Sequence, residues 1–215
     1  MCPLDEAGFA LTLPTTYSWF PRGQRLRVPY QAPQRRRVNV IGAYFTHGPD
    51  AGRLAYRSWA VLPKKRAKKP RTTPAERAAA HGLTVEEIGP IDAERLVAFL
   101  WQVAGRPPEA AADWRRTRPL VIALDNYSVH TSQTVQAAQP LVAAANVALV
   151  SLARYGPAHS EIEPLWNDVT AHQLPIRRCE RVANLKHAVD DALAHTAQIL
   201  QHTHVKTARL QRLAA

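Results

Sequence analysis

Cysteine is scarce in this chain. The two that occur, Cys2 and Cys179, can build neither a disulfide framework nor a metal site of the closely spaced cysteine kind. A reducing compartment, the cytoplasm, is therefore expected. Long hydrophobic runs are missing too: no stretch of about 18 apolar residues occurs, which excludes a membrane-spanning helix. The opening Met1-Cys2-Pro3-Leu4-Asp5 lacks the basic start and long apolar run of a secretion signal. Negative charge is in short supply, with 17 Asp and Glu against 28 Lys and Arg, a net charge of +11 and a pI near 10.3. Such a balance favours a polyanionic partner. Nucleic acid ranks ahead of an anionic membrane, because no basic helix with a broad apolar face stands out. The charge alone is also compatible with nothing more than an arginine-rich genome. At 215 residues the chain is long enough to bury a sizeable core and is expected to form one domain.

What is present is organised around Pro119–His130, P-L-V-I-A-L-D-N-Y-S-V-H. Leu120 to Leu124 is a short unbroken apolar run ended by polar residues, the pattern of a strand buried on both faces. Asp125 then stands at the strand's carboxyl end, where ligands bind in open α/β sheets. An ionised carboxylate there needs a compensating charge or strong hydrogen bonds, and a divalent metal is one candidate. Read by itself, Asp125-Asn126 is equally a turn former. Two further acidic positions carry weight: Asp5-Glu6 near the start, and Glu163 at the head of an expected helix after Tyr155-Gly156-Pro157.

In chain order, a strand is expected from Leu4, broken at Gly8, then a second towards Pro14, with Thr16–Trp19 β-prone. Val38–Phe45 is a further strand, and Leu54–Leu62 continues the sheet or covers it. Pro63 to Arg71 is a basic, proline-bounded run. Lys64, Lys65, Arg66, Lys68, Lys69 and Arg71 suit either a solvated loop or sequence-independent contact with DNA phosphates. Ile91–Val103 is expected as a helix with Leu96, Phe99, Leu100 and Val103 on one stripe, Asp92 at its start and Gly105 at its end. A helix capped by Thr131-Ser132 should be broken or kinked by Pro140. Val147–Leu152 is the next buried strand, and Val182 to about Gln201 a final helix. Two strands joined through a helix lie parallel, with a right-handed crossover. The order is that of an α/β ribonuclease H-like fold: a mixed five-stranded sheet, three antiparallel strands then two parallel, flanked by helices.

D-N-Y-S-V-H-T-S followed by Y-G-P and I-E-P-L-W resembles the second and third catalytic blocks of DDE transposases of the mariner superfamily, in their bacterial insertion-sequence branch. L-D-E-A-G-F-A-L, Y-S-W-F-P-R-G and R-R-R-V-N-V-I-G-A resemble the first block. The resemblance runs from about Asp5 to Trp166, with a poor match between about 64 and 90. It implies the same fold over residues 1–201, interrupted by a basic low-complexity insertion at about 63–90 and followed by a basic tail, 202–215. It implies DNA strand cleavage and strand transfer, that is, DNA transposition and integration. Asp5, Asp125 and Glu163 would be the catalytic triad and the metal ligands. Hard oxygen donors select Mg²⁺ or Mn²⁺, and two such ions about 3.5–4 Å apart can activate a water or 3′-hydroxyl and stabilise the leaving oxygen. Asn126 would orient Asp125 or a phosphate, and His130 would bond near the scissile phosphate; each is otherwise a turn former and a core-edge histidine. The implied partner is double-stranded DNA, bound by a homodimer on the bacterial nucleoid in the cytoplasm, with no membrane.

Several alternatives stay open. Glu6 adjoins Asp5 but should project from the opposite face of the strand, and Glu161 lies near Glu163 where the family has proline. Trp19 and Trp166 match family positions, yet large aromatics are first of all core residues. The helix-turn-helix modules that precede the catalytic part in the family have no counterpart here, since four residues precede Asp5. Gly156 and Ser160-Glu161 also depart from the family pattern in the loop that aims Glu163. A catalytically inactive DNA-binding remnant that modulates a full-length transposase is thus a second reading. A phosphohydrolase of the haloacid dehalogenase type is a third, against which Tyr127 stands where that class needs a second aspartate.

Overall fold

Alternating and continuous apolar patterns in this sequence become one five-stranded sheet between two helical layers. The computed structural model describes residues 1–11, 22, 36–62, 72–125, 127–152, 161–174, 179 and 181–214, with side chains as far as Val205 in the last helix. The segments expected as strands towards Pro14 and at Thr16–Trp19, the basic run 63–71, Asn126 and the Tyr155-Gly156-Pro157 turn lie outside the described residues. Strand β1 is Cys2–Ala10 and runs unbroken through Gly8; β2 is Arg37–Tyr44 and β3 is Leu54–Val61. Helix α1 is Pro74–Ala79, α2 Ala93–Ala104, β4 Leu120–Leu124, α3 Gln133–Ala144, β5 Val147–Ser151, α4 Glu163–Asp168 and α5 Val182–Ala214. The strand order is β3-β2-β1-β4-β5. Pairing is antiparallel from β1 to β2 and from β2 to β3, and parallel from β1 to β4 and from β4 to β5. This is the ribonuclease H-like arrangement expected from the sequence.

The two faces of the sheet bury different cores. Leu4 of β1, Ile41 and Ala43 of β2, and Leu120, Ile122 and Leu124 of β4 join the α2 stripe Leu96, Phe99, Leu100 and Val103 and the α3 residues Val135 and Val142 on one face. Phe9, Val38 and Val40 join Ile162, Trp166 and Val169 around α4, and Val182, Leu185, Val189 and Leu193 of α5, on the other. Helix α2 begins and ends as its sequence dictates. Asp92 accepts the Arg95 N–H, and Gly105 turns the chain out at φ 76°, a left-handed conformation that glycine adopts without steric cost.

Three elements differ from expectation. Within the segment expected as a low-complexity insertion, Thr73 and Glu76 form a reciprocal capping box that starts α1, and Ala78 and Leu83 are buried in the second core. Helix α3 continues through Pro140; its buried residues Val135, Ala138 and Val142 fall on both sides of the proline and hold the two halves to the core. Helix α5, expected to stop near Gln201, extends to Ala214. It is fixed to the sheet by a polar cluster as well as by its apolar stripe. Lys186 Nζ lies 2.7 Å from Asp190 Oδ2 and 3.5 Å from Glu87 Oε1, and the Ser58 hydroxyl of β3 donates to Asp190. No helix among the described residues is long and apolar enough to cross a membrane.

Candidate active site

The site follows from a mismatch in strand length. Strand β4 ends at Leu124, opposite Leu4 of β1, and β1 continues past that point paired only with β2, Asp5 with Gly42 and Glu6 with Ile41. The carboxyl end of β4 therefore leaves a notch in the sheet. Asp125 enters it from one side, and Asp5 and Glu6 flank it from the other. Strand alternation then sends the two β1 carboxylates to opposite faces, and the hydrogen bonds agree.

Asp5 faces the layer of α4 and α5. Trp166 of α4 donates from Nε1 to Asp5 Oδ2 at 3.1 Å. Burial raises the Asp5 pKa from 3.8 to about 6; the charges of Glu6 and Asp125 add to the rise, against hydrogen bonds from the Glu6 backbone and Trp166. Glu6 faces the other way, towards His130, whose Nε2 lies 2.9 Å from Glu6 Oε1. Asp125 is held by its own turn. The Tyr127 N–H donates to Oδ1 at 2.9 Å, and His130 Nδ1 lies 2.8 Å from that same oxygen and 3.0 Å from the Asp125 carbonyl. Burial pushes the His130 imidazolium down, but the hydrogen bond and charge of Glu6, joined by Asp125, outweigh it and raise the pKa from 6.5 to about 9.

Glu163 is the first residue of α4, exposed, with Pro164 behind it in the first turn. Among the described residues no hydrogen bond or ion pair joins it to Asp5 or Asp125. Glu161 lies exposed before the helix, where its charge acts on the Tyr44 hydroxyl after burial has already raised that group. Among the described residues, the ligand-type side chains that the structure draws within 4.8 Å of one another are Glu6, Asp125 and His130. Asp5 stands beside that group, and Glu163 one helical turn from the indole that touches Asp5.

No family model matches the sequence, and no curated protein matches it. Solved structures do. The Mos1 transposase paired-end complex with left transposon end aligns with a TM-score of 0.52 and 14% identity, over 94% of this chain and 52% of that one. The fold is mariner transposase-like. The Mos1 mariner paired-end complex with Mn aligns at 0.51 and 13%, and the Mos1 strand transfer complex at 0.53 and 13%, with the same coverage. At such identity the likeness is one of fold, and this chain spans about half the length of those chains.

Two features of this mariner-like fold escape a sequence reading. One is the Glu6–His130 contact, between residues 124 positions apart. The other is the role of Gly42. A Cβ there would overlap the Trp166 ring, so the absence of a side chain opposite Asp5 lets the indole lie on the sheet and reach the carboxylate. Gly42→Ala should cost about 1–3 kcal/mol of stability by overpacking, read as a lowered urea midpoint. The same change should break the Trp166–Asp5 bond. Next to last in R-R-R-V-N-V-I-G-A, Gly42 was visible in the motif but not its reason.

Proposed function

We propose that this chain is the catalytic part of a DNA transposase of the bacterial insertion-sequence branch of the mariner superfamily. In this reading Asp5, Asp125 and Glu163 hold Mg²⁺ or Mn²⁺, as one or two ions, and act on double-stranded DNA. The observation that carries it is the Trp166–Asp5 hydrogen bond at the sheet notch. It ties the helix that begins with Glu163 to the strand that carries Asp5, beside the end of the strand that leads to Asp125. Residues three apart are neighbours on a helix, which supports reading Glu163 as the acidic residue that α4 brings towards the notch.

The donor set fits a hard divalent cation. Asp5 is a half-buried carboxyl kept above its ordinary pKa by burial and by two neighbouring acids, so its ionised form lacks a counter-charge that a cation would provide. Bound there, the metal supplies Lewis acidity for in-line displacement at a phosphodiester. The chain's own residues do the positioning. Trp166 fixes the Asp5 carboxylate by one hydrogen bond, while the Tyr127 N–H and His130 fix Asp125. Glu163, exposed at the head of α4, is free to swing towards the notch without losing a partner among the described residues. The net charge of +11 draws in the polyanion. The experiment that tests the reading is strand cleavage and strand transfer on duplex DNA with Mg²⁺ or Mn²⁺, comparing the wild type with Asp125→Asn and Glu163→Gln.

The domain spans 1–201 in this proposal, with 202–215 as a basic tail that continues α5 as far as Ala214, and it works in the bacterial cytoplasm as a homodimer on DNA. The basic run contributes phosphate contacts without reading bases. Changing Lys64, Lys65, Arg66, Lys68, Lys69 and Arg71 to Ala should weaken binding to unrelated duplexes equally. It should also reduce the slope of log affinity against log salt by up to about 5, as measured by fluorescence anisotropy at several salt concentrations.

One observation favours a second reading, an inactive DNA-binding remnant: His130 pairs with both Glu6 and Asp125, so one positive charge from within the protein offsets part of their negative charge. Calorimetric titration with Mn²⁺ separates the two. A remnant binds DNA in a salt-sensitive way and takes up no metal.

A further inference from the structure

The Glu6, Asp125 and His130 side chains lie close enough to pass for a three-ligand metal cage, but their hydrogen bonding describes something else. His130 Nδ1 faces two oxygens of Asp125, the carboxylate Oδ1 at 2.8 Å and the main-chain carbonyl at 3.0 Å. Its Nε2 faces a third, Glu6 Oε1 at 2.9 Å. A carbonyl and two ionised carboxylates only accept hydrogen bonds. Both ring nitrogens therefore donate, and neither keeps a lone pair for a cation. The ring cannot turn away to free one. Its side chain is 2% exposed, its backbone N–H donates to the Tyr127 carbonyl at 2.9 Å, and the Tyr127 ring meets it edge-on at 6.0 Å.

We propose that Glu6 and His130 are positioning residues for the metal-dependent site: Glu6 anchors the imidazole, and the imidazole anchors the Asp125 carboxylate at the end of β4. This rests on the preceding reading of Asp125 as a metal ligand. The arrangement has a physical purpose. The Asp125 side chain is 49% exposed, so on its own it would exchange among solvated rotamers and lose freedom each time it met a cation. Held on Oδ1 by His130 and Tyr127, it presents its other oxygen in one direction. Glu6, 15% exposed and on the face of β1 opposite Asp5, is the part of the acidic pair Asp5-Glu6 that carries the histidine rather than the ion. The outer partner of a ligand commonly sets metal affinity by about 10–100-fold.

The test uses the full chain and the variants Glu6→Ala, Glu6→Gln, His130→Ala and the double change Glu6→Ala/His130→Ala. Mn²⁺ alone is the probe, titrated by calorimetry, and crystal structures of the metal-free proteins are the second readout. Each alanine change should weaken Mn²⁺ binding about 10–100-fold. The double change should be no worse than the more severe single one, because both act through one route. Glu6→Gln, whose amide oxygen still accepts from His130, should recover most of the affinity, which a general loss of packing would not allow. In metal-free Glu6→Ala the Asp125 carboxylate should leave the His130 ring. The proposal is overturned if Glu6→Ala abolishes Mn²⁺ binding as fully as Asp125→Asn, which would make Glu6 a ligand. It is also overturned if the two alanine effects add, or if Asp125 keeps its place in metal-free Glu6→Ala. A wild type that binds no Mn²⁺ ends the reading of the preceding section instead. The metal-free structures then decide the positioning by themselves.

Discussion

Asp125→Asn will lower divalent-metal-dependent strand cleavage on the order of a thousandfold or more while leaving the unfolding midpoint nearly unchanged. The size follows from the several kcal/mol of transition-state charge stabilisation that a metal centre supplies, at about 1.4 kcal/mol per factor of ten. The structural silence follows from geometry. Asn is isosteric, and its amide oxygen can accept from the Tyr127 N–H and from His130 as the carboxylate does. Glu163→Gln should behave alike for a different reason: the side chain is exposed at the head of α4, so its loss removes no packing. Glu161→Gln should leave cleavage at the wild-type level, which separates the two candidate glutamates. The measurement is a gel-based cleavage assay on labelled duplex with Mn²⁺, paired with thermal unfolding of each variant. Cleavage that survives both Asp125→Asn and Glu163→Gln would rule this site out.

The order of the elements and the strand directions were legible because they follow from rules that act locally. Leu120–Leu124 is too short for a buried helix and too apolar for a surface strand. A helix between two strands forces them parallel, and together these placed Asp125 at the sheet's rim. The alternation of β1 likewise separated Asp5 from Glu6 correctly. Two helical segments were obscured by their neighbours. The capping box Thr73-Pro74-Ala75-Glu76 carried a start signal, but the basic run before it drew the whole stretch into a loop. The sequence after Gln201 contains no glycine or proline to stop α5, and its basic character suggested a tail where the absence of a breaker meant a helix. Contacts between residues far apart in the sequence had no signal at all. That Glu6 meets His130, and that Gly42 makes room for Trp166 over Asp5, depends on which strands become neighbours. It appears only once β1 lies between β2 and β4.

The metal-free protein will lose stability as pH rises, in two separate windows. Asp5 sets the first. Burial, with the nearby charges of Glu6 and Asp125, raises its folded pKa from 3.8 to about 6. A group whose pKa is higher folded than unfolded favours the folded state in its protonated form. Its contribution is complete below about pH 3.8 and is lost as pH rises through about 6. Two pKa units correspond to roughly 3 kcal/mol, which partial exposure and screening reduce to roughly 1–2 kcal/mol. His130 sets the second window, in which the stabilisation from its pairing with Glu6 and Asp125 is whole below about 6.5 and disappears as pH passes about 9. Asp5→Asn keeps an acceptor for Trp166 Nε1 and removes the charge. It should therefore be more stable than the wild type by roughly 1–2 kcal/mol at about pH 7, equal to it near about pH 3, and still show the alkaline loss. Urea denaturation of the two proteins across that range is the measurement. Superimposable profiles between about pH 3 and 7 would show that Asp5 is solvated in the folded state and would remove its claim to a cation. An aspartate kept for the fold behaves in the opposite way: its partners lower its pKa, and the protein weakens when the charge is removed. A variant that gains stability while it loses cleavage would mark Asp5 as a carboxylate kept for a cation at the expense of the fold.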